Sequence, residues 1–178
     1  MFTLVIGGAA SGKSGYAEGL VLLSPHRPRY YIATMEPFGE EGRRRVEKHR
    51  RMRADKEFET VECYHTLSSV RLPRRGTVLL ECVGNLAANE LYSPAGAGSV
   101  AGAVSAIVDG VDALLEQCGD LVVVSNEVCA DGGGYSEETE AYRRLLAGVN
   151  RALADRADRV YEVVCGLPCC YKDRRRAV

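Results

Sequence analysis

Apolar residues in this chain fall into two kinds of pattern. Short runs that are apolar at nearly every position occur at Phe2-Thr3-Leu4-Val5-Ile6, at Tyr30-Tyr31-Ile32-Ala33, at Val78-Leu79-Leu80 and at Leu121-Val122-Val123-Val124. Runs of this length without alternation suit strands buried on both faces. They predict strands over 2–6, 29–34, 77–81 and 120–125. Two weaker runs, Phe58-Glu59-Thr60-Val61-Glu62 and Arg159-Val160-Tyr161-Glu162-Val163-Val164, predict two more, the second of them the last strand of the chain. Between the runs, apolar residues recur at helical spacing: Tyr16, Ala17, Leu20 and Val21; then Val104, Ile107, Val108, Val111, Leu114 and Leu115; then Ala141, Leu145, Val149 and Leu153, with Ser136 placed to cap that helix. Further helices are predicted over the charged stretch 40–53 and over 83–91. Ser24-Pro25-His26-Arg27-Pro28 and Pro73-Arg74-Arg75-Gly76 are breaks, residues 93–103 are small and read as a surface loop, and Gly166-Leu167-Pro168 leads into a basic tail. Alternation of strand and helix predicts an α/β fold of three layers around a mostly parallel central sheet.

Immediately after the first strand stands Gly7-Gly8-Ala9-Ala10-Ser11-Gly12-Lys13-Ser14, which fits G-x-x-x-x-G-K-[ST] without mismatch. Backbone N–H groups of such a loop turn inward on an anion, Lys13 supplies charge to the outer phosphates, and Ser14 is placed to hold Mg²⁺. A helix starting near Lys13 adds its positive end to the same spot. The strand before and the helical pattern after meet the context the motif requires, so the fold is expected to be P-loop NTPase-like, in a single domain over 1–178.

Composition changes this picture little. With 178 residues, 46% hydrophobic and 26% charged, the chain is ordinary for one globular unit. Its net charge of −1 gives no global attraction to nucleic acid or to an acidic membrane. No apolar run approaches the length of a membrane span and no basic leader precedes the first strand, so a cytoplasmic protein is expected. The 7 cysteines are scattered, mostly within apolar runs, as reduced core thiols would be. Only Cys165, Cys169 and Cys170 lie close together, and they lack a matching pair or a histidine at metal-ligand spacing.

Open α/β sheets bind ligands at the carboxyl ends of their strands. Those ends hold Ala33-Thr34, Glu62, Glu81-Cys82 and Asn126-Glu127 beside the phosphate loop. Glu81 is placed to hold Mg²⁺ directly or through water, and Glu127 competes for that role. Either acid is also suited to capping a loop or pairing with an arginine. The stretch Arg43-Arg44-Arg45-Val46-Glu47-Lys48-His49-Arg50-Arg51-Met52-Arg53 carries seven basic residues and one acid. Such a run is an anion site, a solvated face or a nucleic-acid contact. Among so many cations the imidazole of His49 is held neutral by like-charge repulsion, and a neutral ring nitrogen is able to attack phosphorus.

These features together resemble the adenosylcobinamide kinase / adenosylcobinamide-phosphate guanylyltransferase family. Besides the phosphate loop, the resemblance is carried by Tyr31-Ile32-Ala33-Thr34, Arg45-Val46-Glu47-Lys48-His49-Arg50 with Arg53, Thr60-Val61-Glu62, Leu79-Leu80-Glu81-Cys82 with Asn89, Val124-Ser125-Asn126-Glu127-Val128, Asn150 with Leu153-Ala154, Ala157-Asp158, and Gly166-Leu167-Pro168. It implies that His49 is the residue guanylylated. It also implies nucleotide contacts from the loop of Gly7, Gly8, Ala9, Ala10, Ser11, Gly12, Lys13 and Ser14, from Ala33, Thr34 and Met35, from Arg50, Arg51, Met52 and Arg53, and from Glu62 and Glu81. Two reactions follow from it: phosphorylation of adenosylcobinamide by ATP or GTP, then transfer of GMP from GTP to adenosylcobinamide phosphate. A homotrimer is implied too. The chain departs from the family in having Gly84 in place of a threonine, in having no tryptophan, and in the segment Cys129-Ala130-Asp131-Gly132-Gly133-Gly134-Tyr135 after Glu127. The helix that follows reads Tyr142-Arg143-Arg144-Leu145, where the family has an Arg-Phe-Arg-Asp pattern.

Overall fold

A computed structural model describes residues 1–37, 39–40, 44, 47, 56–128 and 134–174. Strands β1 (Phe2–Gly7), β2 (Arg29–Ala33), β3 (Phe58–Glu62), β4 (Thr77–Leu80), β5 (Asp120–Asn126), β6 (Arg159–Val164) and β7 (Leu167–Asp173) form one sheet in the order β3-β2-β4-β5-β1-β6-β7. Every pairing is parallel except that of β7 with β6. Helices α1 (Lys13–Leu23), α2 (Val83–Tyr92), α3 (Val100–Gln117) and α4 (Glu137–Arg156) cover its faces.

The unbroken apolar runs are explained by two cores. Successive strand residues point to opposite faces, and here both faces are buried. Leu4, Ile32, Leu80 and Val123 join Leu86, Ile107, Leu114, Leu145 and Leu153 of α2, α3 and α4 on one side. Val5, Tyr31, Leu79, Val122 and Val124 meet Ala17 and Val21 of α1 on the other. The three-layer, mostly parallel expectation therefore holds. No helix among the described residues is long and apolar enough to cross a membrane.

Helix starts follow local hydrogen-bond chemistry. Ser136 caps α4 as its sequence position predicts, its hydroxyl accepting from the Thr139 N–H at 3.3 Å. Three acids, Glu137, Glu138 and Glu140, occupy the first turn, where the helix dipole favours them. Ser99 caps α3 in the same way through the Gly102 N–H at 3.1 Å. That cap starts α3 at Val100, inside the stretch 93–103 read as loop.

A larger correction concerns the C-terminal side: β6 is not the last strand. Cys165 and Gly166, at φ 50° and 80°, make a tight turn of the kind that joins twisted antiparallel strands, and β7 runs back along β6. Pro168 sits on this edge strand, where a missing N–H is tolerated and blunts pairing with another chain. The expectation of core cysteines is also only half met. Cys63 and Cys118 are buried, but Cys165, Cys169 and Cys170 are exposed on the hairpin.

Candidate nucleotide-binding site

The strand order sets the layout of the site. At the carboxyl edge of the sheet the row reads Glu62 ending β3, Ala33 ending β2 with Thr34 next, Glu81 after β4, Asn126 ending β5 with Glu127 next, and the loop that starts at Gly7, the last residue of β1. Sequence-distant candidates thus come to one edge. With strands about 4.8 Å apart, Glu62 lies roughly 19 Å from the phosphate loop, four strands away.

The loop itself is shaped by main-chain geometry. Gly12, at φ 91°, closes it directly before α1, a conformation that strains any residue with a Cβ. It is braced from outside, since the Gly166 N–H of the β6–β7 turn donates to the Ser11 carbonyl at 2.8 Å. The Ser11 N–H closes back on the Gly8 carbonyl at 3.3 Å, and the Lys13 ammonium donates to the same oxygen at 2.9 Å. The Ser11 hydroxyl is buried with no hydrogen-bond partner among the described residues. It packs against Gly7, where an added Cβ would stand 2.6 Å from the Ser11 oxygen and 2.7 Å from the Val163 carbonyl oxygen, so the serine fills the β6 side of the loop and leaves room for no side chain at Gly7.

Neighbouring strand ends are knitted together by side chains. Thr34, fully buried, donates from Oγ1 to the Cys82 carbonyl at 2.9 Å. The Glu81 N–H continues the ladder to the Ile32 carbonyl at 3.1 Å, so its carboxylate departs from a fixed backbone just beyond β4. Cys82 caps α2, its sulfur accepting from the Asn85 N–H at 3.4 Å. Burial pushes the Cys82 thiol up, helped by the Glu81 charge, while the Asn85 N–H and Lys13 pull the other way. A protonated thiol is a poor competitor for a hard cation. The oxygens of Ser14, exposed in the first turn of α1, and of Glu81, half-buried, are the donor type Mg²⁺ takes.

Asn89 on α2 is one of the residues carrying the resemblance, but its contacts are legible only in three dimensions. Its amide donates to the Thr34 carbonyl at 2.9 Å and to the Tyr64 carbonyl at 3.0 Å, tying the ends of β2 and β3. Next to it Glu90, 3% exposed, accepts from the Thr66 and Ala97 N–H groups at 2.7 and 3.0 Å. Glu62 accepts from the Tyr64 hydroxyl at 3.0 Å. The departure at Gly84 has a steric counterpart: Tyr142 of α4 donates from its hydroxyl to the Gly84 carbonyl at 3.3 Å. Burial, with Cys82 and Tyr92 nearby, pushes the Tyr142 phenol up to about 12. Arg143 spans the ends of the unusual segment, its guanidinium donating to the Val128 carbonyl at 3.1 Å and lying 4.8 Å from the Tyr135 ring centre. His49, Arg50, Arg51, Met52 and Arg53, together with residues 129–133, lie outside the described residues.

Comparison with known proteins gives the same answer along nearly the full chain. A bifunctional adenosylcobalamin biosynthesis protein CobU from Salmonella typhimurium (strain LT2) is 35% identical over 182 residues, covering 94% of this chain and 97% of the relative. Its counterpart from Escherichia coli (strain K12) is 31% identical over 179 residues, with 94% and 97% covered. Among solved structures, an ATPase domain aligns with a TM-score of 0.47 at 11% identity, over 90% of this chain and 68% of that one. The RadB recombinase aligns with a TM-score of 0.43 at 15% identity, over 90% and 73%. The family model described as cobinamide kinase / cobinamide phosphate guanyltransferase matches residues 3–171, and the chain belongs to that family.

Proposed function

We propose that this chain is a bifunctional transferase of cobalamin nucleotide-loop assembly. It phosphorylates adenosylcobinamide and then transfers GMP to the product. The end-to-end family match carries this reading, and the row of strand-end groups beside the phosphate loop supports it. In the first reaction the acceptor hydroxyl oxygen attacks the γ-phosphorus of ATP or GTP, the bond to the β-phosphate oxygen breaks, and the hydroxyl proton passes to a carboxylate, Glu81 or Glu127. Lys13 and the loop N–H groups stabilise the charge on the transferring group. Ser14 and Glu81 would hold Mg²⁺, which would add charge neutralisation there, and with Glu81 on the metal the hydroxyl proton goes to Glu127.

In the second reaction a ring nitrogen of His49 attacks the α-phosphorus of GTP and pyrophosphate leaves. A phosphate oxygen of adenosylcobinamide phosphate then attacks the same phosphorus. The P–N bond breaks, giving adenosylcobinamide-GDP and free histidine. Ala33, Thr34, Met35, Arg50, Arg51, Met52, Arg53 and Glu62 hold the remainder of the nucleotide. The same reading takes residues 1–178 as one domain of a cytoplasmic homotrimer. The altered segment after Glu127 favours one alternative, an enzyme that keeps only one of the two activities.

Incubation with adenosylcobinamide, GTP and Mg²⁺, following phosphorylated and GDP-linked products separately, tests both readings. Both products are expected; nucleotide turnover without corrinoid product would sink the proposal. With α-labelled GTP, acid-labile label should be lost in His49→Ala while phosphorylation persists, and undiminished labelling in that variant removes His49 as nucleophile.

A further inference from the structure

Strand β5 outruns one of its neighbours. Its pairing with β4 ends at Leu80↔Val123, whereas its pairing with β1 continues to Gly7↔Asn126. Backbone groups of alternate residues face opposite edges of a strand. The Leu121 and Glu127 N–H groups face β1, bonding to the Met1 and Gly7 carbonyls at 2.9 and 3.1 Å. The Asn126 carbonyl therefore faces the β4 side, beyond the point where β4 has stopped.

Asn150 of α4 takes that carbonyl. Its Nδ2 donates to the Asn126 oxygen at 3.1 Å, while its Oδ1 accepts from the Ser125 hydroxyl at 2.5 Å, which fixes which way the amide faces. Ser125 is fully buried, and the residues flanking Asn150 along the same helix face, Leu146, Val149 and Leu153, are all fully buried. Asn150 itself is half-buried, and the part of its amide turned to the core is matched by these two bonds. The consequence concerns one peptide unit. Its oxygen, from Asn126, is held by Asn150, and its N–H, from Glu127, is held by Gly7, the first residue of the phosphate loop. The peptide unit that leads into the Glu127 Cα is thereby held on both sides.

We propose that Asn150 is a positioning residue for Glu127, fixing the direction in which that carboxylate leaves β5 relative to the phosphate loop. This rests on the reading that Glu127 serves the phosphate site. Backbone rigidity is read apart from activity by hydrogen exchange: in Asn150→Ala the Glu127 N–H should lose at least about tenfold in protection while Leu121 and Val123 keep theirs. Unchanged protection at Glu127 overturns the clamp, whatever the enzyme catalyses. Kinetically, a misplacement of the order of 1 Å costs up to about a hundredfold. Asn150→Ala is expected to lower kcat for corrinoid phosphorylation ten- to a hundredfold, with KM for the triphosphate within about twofold, and to lose nothing further when combined with Glu127→Gln. A wild-type kcat, or losses that multiply in the double variant, overturns the positioning role. A wild-type kcat in Glu127→Gln alone instead removes the role of Glu127 on which it rests. Asn150→Asp, which keeps the acceptor for Ser125 but loses the donor, should behave as the alanine variant and serves if that one folds poorly.

Discussion

A methyl group added at Gly84 would stand 2.7 Å from Asn126 Nδ2 and 3.0 Å from the Tyr142 hydroxyl. Both contacts are with the far ends of side chains, the Asn126 amide and the Tyr142 phenol, which must shift to admit the methyl. The cost falls accordingly at the lower end of the range for overpacking, which is about 1–3 kcal/mol. Gly84→Ala should therefore lower the urea midpoint, and Tyr142→Phe should make the same substitution milder by removing one of the two contacts. Equal cost in the two backgrounds would show that Tyr142 is not what fills the space. Residues of this sort mark the limit of what a sequence discloses. The turn between β1 and α1 was legible because its form is local main-chain curvature set by its glycines. The bonds of Asn89, Asn150 and Tyr142 were not, because each ends on a carbonyl from a segment remote in sequence, and nothing in the spacing of either partner announces the other.

At the scale of elements, α2 acts as a bracket between strand ends. Asn89 holds the Thr34 and Tyr64 carbonyls, and Thr34 in turn holds that of Cys82, so β2, β3 and β4 are tied where the candidate nucleotide contacts begin. Two side-chain bonds to backbone are worth about 0.5–1.5 kcal/mol each, more when their loss leaves buried carbonyls unmatched. Asn89→Ala is expected to destabilise the fold by about 1–3 kcal/mol. On the proposed reading that Ala33, Thr34 and Met35 contact the nucleotide beyond its phosphates, KM for GTP should rise several-fold while the affinity for inorganic triphosphate stays near wild type. Parallel loss of both would place the effect in the phosphate loop instead. Six of the seven strands were legible because burial on both faces, or pairing at the sheet's rim, leaves apolar runs. The seventh was not, since β7 exposes Leu167 and Tyr171 at 70% and 71% and carries a proline, and so bears no mark of burial. Its hairpin is defined by the Cys165-Gly166 turn, and that turn braces the phosphate loop through Gly166.

For the whole molecule, the larger of the two cores makes stability sensitive to alkali. Cys63 and Cys118 lie in it at 6% and 2% exposure. Burial, reinforced by the Glu90 carboxylate, pushes the Cys63 thiol from 9.0 up to about 11. Burial does the same for Cys118, against the pull of the N-terminal ammonium and Arg75. A thiol whose folded pKa is raised stays protonated in the native state while the unfolded chain ionises. Its contribution is full below pH 9, declines as the unfolded thiol gives up its proton, and is gone once pH has risen through about 11. A tenfold change in proton affinity corresponds to about 1.4 kcal/mol, so a rise of two units sets an upper bound of ~3 kcal/mol per thiol, and solvent screening brings this to ~2 kcal/mol across that window. Urea midpoints measured under reducing conditions should be flat from pH 7.5 to 8.5 and fall steeply between 9 and 11. A Cys63→Ala/Cys118→Ala variant, less stable at neutral pH from the lost packing, should fall less over the same interval. Replacing the exposed hairpin thiols Cys165, Cys169 and Cys170 provides the control for removing cysteines away from the core. If replacing those three flattens the alkaline limb and replacing Cys63 and Cys118 does not, the pH dependence arises at the hairpin and not in the core.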